Sequence, residues 1–560
     1  MHCRFQLLNK SHDFDWSHFL SNLGEMKLLL LTVVLFAGHV CSDTPKQPNI
    51  VMILADDMGY QDVGFRGSNI LTPNMDKLAK EGVILENHYV MPQCSPTRAS
   101  LLSGRHAIRT GFWKGNIKPT EEWGLRLNET TIPEMLRRNG YETHGIGKWH
   151  CGLYTWEHTP ANRGFDTYFG LYLGAQGYFS HKRSGKVDLR DNYHDKDGNL
   201  VDDVKFDLAG KYSTYLFTDR AVESIENRDK SKPLFLYLSY TAPHSPNDAP
   251  PDAVEKYASH IPADPKHRKK YATQISVMDE GIGKVVETLK KENMLDNTII
   301  VFTADNGAVF GNKGSNYPLR GGKQSLFEGG VRAVSFVSSP LLNKTGYTNT
   351  NLHHVTDWYA TFQKMAGDQP EHHKKSQLPI DGVDIWESVS NDKPCRDEVL
   401  MNFRDHSMIQ DSTGPEFLVK REVMDEEEEL GELDLGDDEY LDDESSDFFV
   451  IRWKDWKLFT GTYKVQDWTS KNSLGHKAKF DRSDDGLLGG GKSGSGTKLF
   501  DLSTDPREET DVADKHPDIV KIILDKIPGY KKKMTKINKR TRSKAGMKDG
   551  KWVPWVPNSA

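Results

Sequence analysis

Three apolar runs in this chain end abruptly on polar residues. PNIVMILADDMGY (48–60) closes on two aspartates, PLFLYLSYTAPH (233–244) on a histidine, and NTIIVFTADNG (297–307) on Asp-Asn-Gly. Their length and their Val/Ile/Phe content predict buried strands. Between them lie segments with helical spacing of apolar residues. TPNMDKLAKEGVIL has Thr72 placed to cap the turn begun by Pro73. TIPEMLRRNGYETHGIGKWH reads as a helix, a Gly stop and a short strand running into a loop, and YATQISVMDEGIGKVVETLKKENML as an amphipathic helix. Strands alternating with helices predict an α/β fold with a large, mostly parallel mixed sheet flanked by helices. In such sheets the ligand crevice lies beyond the carboxyl ends of the strands, so the three polar tips can converge on one site.

The pattern changes near residue 395. MDEEEELGELDLGDDEYLDDESSD (424–447) is an acidic low-complexity run, expected as a solvated loop or insertion. FFVIRWKDWKLFTG predicts a strand pair, LGGGKSGSG a flexible loop, and TKLFDLSTDPREETDVADKHPDIVKIILDKI a strand, a turn and an amphipathic helix. A smaller α+β domain over 396–560 therefore follows the larger one, 43–395. No internal repeat is present. The basic stretch KKKMTKINKRTRSK (531–544) reads as a solvated tail, with attraction of a sulfated polysaccharide the alternative.

Composition narrows the class. With 36% hydrophobic and 27% charged residues, the chain is expected to be soluble and globular, and a net charge of −7 gives no reason to invoke a nucleic-acid partner. Met26-Lys27 followed by LLLLTVVLFAG is a basic start and an apolar run too short to span a bilayer, with small residues before Asp43. We read 26–42 as a secretory signal peptide, not a membrane span, and 1–25 as an upstream extension outside the fold. The sequons at Asn128 and Asn343 agree with the secretory route. Beyond residue 42 only Cys94, Cys151 and Cys395 remain, too few for a disulfide scaffold.

The candidate chemistry lies at the polar tips. Asp56, Asp57, Asp305 and Asn306 offer hard oxygen ligands suited to Ca²⁺ or Mg²⁺, although Asp and Asn also end strands because they favour turns. Lys148 and His150 in GKWH are two apart, which on an extended chain points both to one side. His244 ends TAPH, and Lys323 sits among glycines in RGGKQSLFEGGVR. Together these groups would surround a tetrahedral oxyanion, sulfate or phosphate, with positive charge. Cys94 heads PQCSPTRASLLSGR. Its distance from Arg98 is not that of a phosphotyrosine phosphatase loop, and no cysteine partner for a metal lies near.

CSPTRASLLSGR resembles the Cys-x-Pro-x-Arg signature of the type I sulfatases, within the alkaline-phosphatase superfamily, and GKWH resembles their second signature. The resemblance continues through RGFDTYFGLYLGAQGYFSH, TADNG, PLRGGKQSLFEGGVR, HHVTDWYATFQKMAG and LFDLSTDPREETDVA to KWVPWV. It is nearest to the arylsulfatase B group, which includes N-acetylgalactosamine-4-sulfatase and arylsulfatases I and J.

The resemblance implies an alkaline-phosphatase-like fold and hydrolysis of sulfate esters, on N-acetylgalactosamine-4-sulfate units of glycosaminoglycans or on aryl sulfates. It implies that a formylglycine-generating enzyme oxidises Cys94 to formylglycine (3-oxoalanine) in the secretory pathway, with a lysosomal or secreted destination. It implies Ca²⁺ held by Asp56, Asp57, Asp305, Asn306 and the modified Cys94. The aldehyde hydrate would attack sulfur with help from Asp305, and loss of its remaining proton to His150 would then release sulfate. Arg98 would orient the hydrate. Lys148, His244 and Lys323 would grip the sulfate oxygens, and Lys323 or His244 would protonate the leaving oxygen. Three departures stand out: Cys151 follows GKWH where the family has Leu, the disulfide cysteines of a vertebrate arylsulfatase B are mostly absent, and the acidic run has no counterpart. His353 and His354 fall in a segment that is helical in the family and are read as structural. The competing readings are a phosphatase or phosphodiesterase of the same superfamily, and a silent, secreted glycan-binding homologue.

Overall fold

A ten-stranded mixed sheet forms the spine of the computed structural model, which describes residues 47–258, 261, 266–309, 314–368, 379–410, 447–465, 493–538 and 542–556. Its strands are β1 (Asn49–Ala55), β2 (Val83–Tyr89), β3 (Glu142–Lys148), β4 (Thr167–Leu171), β5 (Leu189–His194), β6 (Leu200–Val204), β7 (Leu234–Ser239), β8 (Thr298–Ala304), β9 (Ser335–Ser338) and β10 (Tyr347–His354). They lie in the order β10-β2-β9-β8-β1-β7-β3-β4-β5-β6. The central block β8-β1-β7-β3-β4 is parallel throughout. Every residue of β1, β7 and β8 is buried. A strand covered on both faces has no polar side to alternate with, which is why these runs read as continuously apolar.

Register carries the three tips to one edge. Ala55 pairs with Ala304, so Asp56 and Asp305 follow the ends of adjacent strands. Leu54 pairs with Ser239 in β7, and Gly147 pairs with the same Ser239 from β3. The ends of β1, β8, β7 and β3 are thus level, and the expected convergence is observed. Helices cover the sheet. They include α1 (Pro73–Glu81), α2 (Cys94–Ser103), α3 (Ile132–Arg138), α4 (Ser213–Asn227), α5 (Lys266–Lys291) and α6 (Asp357–Met365). α3 opens with a capping box between Thr131 and Glu134. Thr72 stands at the start of α1 but makes no capping bond there. Its hydroxyl instead accepts from Gly64 N–H and donates to Asp76.

The C-terminal region builds a five-stranded sheet from β11 (Glu398–Arg404), β12 (Phe448–Trp453), β13 (Trp456–Lys464), β14 (Ser493–Ser495) and β15 (Lys498–Asp501), followed by helix α7 (Pro517–Leu524). The expected strand pair is β12 with β13. The stretch read as a flexible loop ends in β14, which pairs with Thr462–Lys464; its earlier residues, like 1–46 and 424–446, lie outside the described residues. His353 and His354 end a strand rather than sitting in a helix, which begins at Asp357. Among the described residues no helix is long and apolar enough to cross a membrane. Cys94, Cys151 and Cys395 are free thiols.

Candidate active site

CSPTR forms the first turn and a half of α2, a helix whose ten residues are all buried. With no solvent face, the helix has no amphipathic stripe for a sequence pattern to reveal. The helix explains the Cys-x-x-x-Arg spacing, because side chains at i and i+4 lie on one face. Cys94 and Arg98 therefore look the same way, toward the strand ends. Arg98 reaches across to Asp305, its Nε 3.1 Å and Nη2 2.8 Å from Oδ2, and its Nη1 donates to Lys148 O at 3.2 Å and to Ser239 Oγ.

The acidic tips are held by backbone as well as by charge. Asp56 N–H donates to Ala242 O and Asp305 N–H to Ala55 O, each at 3.0 Å. Asp57 takes φ 61°, a left-handed value that turns its carboxylate off the strand line, and its N–H donates to Asp305 Oδ1. Lys148 Nζ sits 2.9 and 2.8 Å from the two oxygens of Asp56, and Lys323 Nζ 2.9 Å from Asp57 Oδ2. His244 Nε2 lies 3.4 Å from Lys323 Nζ and 3.6 Å from Asp57 Oδ2. Cys94 Sγ is 3.4 Å from Asp56 Oδ1 and 4.0 Å from Asp57 Oδ1. Single ligand atoms of Asp56, Asp57, Cys94 and His244 all fall within 4.8 Å of one another. Asn306 donates to Asp57 Oδ1 at 2.6 Å, and its own Oδ1 is buried with no hydrogen-bond partner.

His150 reaches the site by a different route from the one expected. Its φ of 54° breaks the extended geometry, so the two-residue alternation with Lys148 does not apply. Gly147, at φ 99°, turns the chain first, and a Cβ there would stand 1.8 Å from Ser239 O. The imidazole is then fixed by Nε2 donating to Ile117 O at 3.0 Å, which leaves Nδ1 buried and unpartnered. It packs against Gly174, where a Cβ would meet the ring at 2.5 Å. Neither Gly174 nor Ile117 was singled out from the sequence; Gly174 lies within the quoted RGFDTYFGLYLGAQGYFSH, but only the fold explains why it is glycine.

Burial sets the protonation. It opposes charge on Asp305, yet Arg98, Lys148 and Lys323 outweigh it and hold that carboxyl far below its usual range. Burial raises Asp56, and Lys148 only partly offsets this. Burial also pushes the Cys94 thiol well up, aided by the Asp305 charge, so this thiol is not a ready thiolate. For Lys148, burial is outweighed by Asp56, and the ammonium is stabilised. Burial and Lys148 push His150 well down, so it is a neutral base.

Three carboxylates and three cations therefore meet in a buried site and their formal charges cancel. A divalent cation would add two positive charges, which a sulfate dianion would balance. The donor set fits a hard divalent ion: carboxylates, and an amide oxygen with no partner of its own. Asp56, Asp57, Asp305 and Asn306 would hold it.

The sulfatase family model matches residues 48–368. This chain belongs to the type I sulfatases. Mouse arylsulfatase J is 36% identical to this sulfatase over 520 residues, 91% of this chain and 80% of that protein. Human N-acetylgalactosamine-6-sulfatase is 31% identical over 394 residues, 67% of this chain and 72% of its own length. Among solved structures, Ps i-CgsB in complex with k-i-k-neocarrahexaose superposes with a TM-score of 0.66 at 26% identity, covering 88% of this chain and 94% of that one. The sulfatase thus has the expected alkaline-phosphatase-like architecture, and it hydrolyses sulfate esters.

The sequons lie on the surface: Asn128 and Asn343 are both exposed. Cys151, adjacent to His150, is a buried thiol pushed up to about 12 by burial. It is inert packing rather than a second reactive centre.

Proposed function

We propose that this sulfatase removes sulfate from N-acetylgalactosamine-4-sulfate units of glycosaminoglycans, and from aryl sulfates, using Ca²⁺ and a formylglycine made from Cys94 by a formylglycine-generating enzyme. The observation that carries the reading is the position of Cys94: its sulfur faces Asp56 and Asp57 inside a buried set of three carboxylates and three cations. A thiol held so far toward its protonated form has little use there as a nucleophile. Converted to an aldehyde hydrate it would supply an alcohol nucleophile toward sulfur and a second hydroxyl through which sulfate can be eliminated. Bound Ca²⁺ would supply charge stabilisation to that hydroxyl and to the sulfate oxygens.

The chain's own residues divide the remaining work. Arg98, fixed by Asp305 and Ser239, orients the modified side chain and keeps Asp305 ionised. Lys148, His244 and Lys323 grip the sulfate oxygens from two sides. The pair Lys323 and His244, 3.4 Å apart, holds the proton for the leaving oxygen. His150, neutral and with Nδ1 free of any hydrogen bond, takes the proton when sulfate leaves. All of these side chains are buried, which strengthens their hold on charge; one water must still enter after sulfate leaves, to restore the aldehyde hydrate.

For the substrate, support comes from relatives: the 36% identity to arylsulfatase J and the N-acetylgalactosamine named in the 6-sulfatase. The k-i-k-neocarrahexaose bound in the Ps i-CgsB complex adds an oligosaccharide ligand on a related fold. A secretory destination, lysosomal or extracellular, and glycosylation at Asn128 and Asn343 complete the reading. The test is mass spectrometry of the Cys94 peptide from secreted protein, with turnover of 4-sulfated and 6-sulfated N-acetylgalactosamine fragments. Conversion loses sulfur and two hydrogens and gains one oxygen, making the peptide about 18 Da lighter. An active preparation whose peptide retains the thiol sinks the proposal. Preference for the 6-sulfated fragment would overturn the substrate alone.

A further inference from the structure

The loop that carries Lys323 is gripped from behind by charges of the C-terminal region. On the site side, Lys323 N–H donates to Ala308 O and Gln324 N–H to Pro92 O. On the opposite side, Glu328 N–H donates to Glu508 Oε2 at 2.7 Å, and Arg320 Nη1 donates to Glu508 O at 2.9 Å. Lys457 of β13 bridges the two carboxylates, with Nζ 2.9 Å from Glu328 Oε1 and 2.9 Å from Glu508 Oε1. All three side chains are fully buried. Glu328 is further tied to Tyr89 OH at 2.8 Å, and Phe327 stacks on Phe459 with ring centroids 4.6 Å apart. Glu508 itself sits at φ 56°, a conformation that residues other than glycine adopt rarely and at a cost.

We infer that Glu508 is a positioning residue for the reaction: through Glu328 and Arg320 it fixes the 320–328 loop, and so the place of the Lys323 ammonium at the sulfate. Three features argue for this over a merely stabilising contact. Position 508 holds both flanks of the Lys323 loop, its main-chain carbonyl accepting from Arg320 and its carboxylate accepting from Glu328 N–H, and only the second hold depends on the glutamate side chain. The strained backbone of Glu508 is spent on that grip. Two buried carboxylates share one ammonium, an arrangement that a packed apolar residue could replace at no loss of stability, so stability alone does not account for it. Lys323 is also the sulfate-site cation placed on a glycine-rich loop, whereas Lys148 ends a central strand and needs no such brace.

The inference rests on Lys323 gripping sulfate, as proposed above. The test is a double-mutant cycle between Glu508 and Lys323, measured as kcat/KM for an aryl sulfate per mole of converted Cys94. Glu508→Ala should lower kcat/KM on the order of ten- to hundredfold in the wild-type background, the scale of an ångström-level misplacement. In the Lys323→Ala background the same change should cost less than about twofold, because the group it positions is gone. Glu508→Gln should lose less than Glu508→Ala, since its amide oxygen still accepts from Glu328 N–H. Should Glu508→Ala fail to fold, Glu508→Asp, one methylene shorter, is run through the same cycle. Equal fold-losses in both backgrounds overturn the inference and leave the Lys323 assignment standing. A Lys323→Ala enzyme with undiminished kcat/KM removes that assignment, and this inference with it.

Discussion

Lys148 Nζ stands 2.9 and 2.8 Å from the two carboxylate oxygens of Asp56, with both side chains fully buried. Removing one member of a buried pair strands the other's charge, a loss of about 3–5 kcal/mol. Lys148→Ala is expected to lose turnover and to melt well below the wild type in chelator. Added Ca²⁺ should raise the melting temperature of Lys148→Ala more than that of the wild type, because the ion supplies the charge that Asp56 lacks. Differential scanning calorimetry with and without Ca²⁺ checks this, and equal increments would argue that Asp56 is not a ligand.

Serine at position 94 separates the two halves of the reaction. A serine oxygen can attack sulfur, but it has no second hydroxyl through which to expel sulfate. Cys94→Ser should therefore stall after a single event and keep a covalently bound sulfate, adding about 80 Da to its peptide. Cys94→Ala should show neither turnover nor the added mass. Intact-protein mass spectrometry after incubation with an aryl sulfate distinguishes the two variants.

Gly174 touches the His150 ring in a place where a Cβ would come within 2.5 Å. Gly174→Ala is expected to displace the imidazole and lower kcat about ten- to hundredfold, with KM nearly unchanged, because the displaced group handles a proton rather than the sulfate. Unaltered kcat would show that His150 has slack in its seat.

Buried neutral histidines set the acid limb of stability. Burial, with His88 nearby, holds His353 down to about 3, whereas in the unfolded chain it titrates near 6.5. Between those values the unfolded state binds the extra proton, so stability rises with pH through the window and is lost as pH falls. One such group is worth roughly 2–3 kcal/mol between pH 6.5 and 4.5. His353→Asn should flatten the melting temperature against pH over this interval, while an unchanged slope would mean that this histidine protonates in the fold. His88, held down to about 3 by burial alone, is the next position to test.

The strands β1, β7 and β8 were legible because a doubly covered strand leaves an unbroken apolar run, and the turn-forming Asp and Asn that follow it mark its end. The same pattern located Asp56, Asp57, His244, Asp305 and Asn306. α2 was not legible, since its polar residues are buried with its apolar ones, and Arg98 is held by Asp305 and Ser239, far along the chain. The path of His150 was hidden for a related reason: a positive φ after a constrained glycine leaves no periodic trace. The brace behind Lys323 depends on residues about 130 and 180 positions away, and no local pattern announces it.

Cys94, at the start of α2, is only 1% exposed, with its sulfur turned in toward the strand ends. On the proposed chemistry this imposes an order of events on biogenesis. Oxidation of the thiol has to come before collapse of the chain around it, because afterwards no second protein can reach the sulfur. Each molecule then has one opportunity to become an enzyme, and it falls before the fold closes.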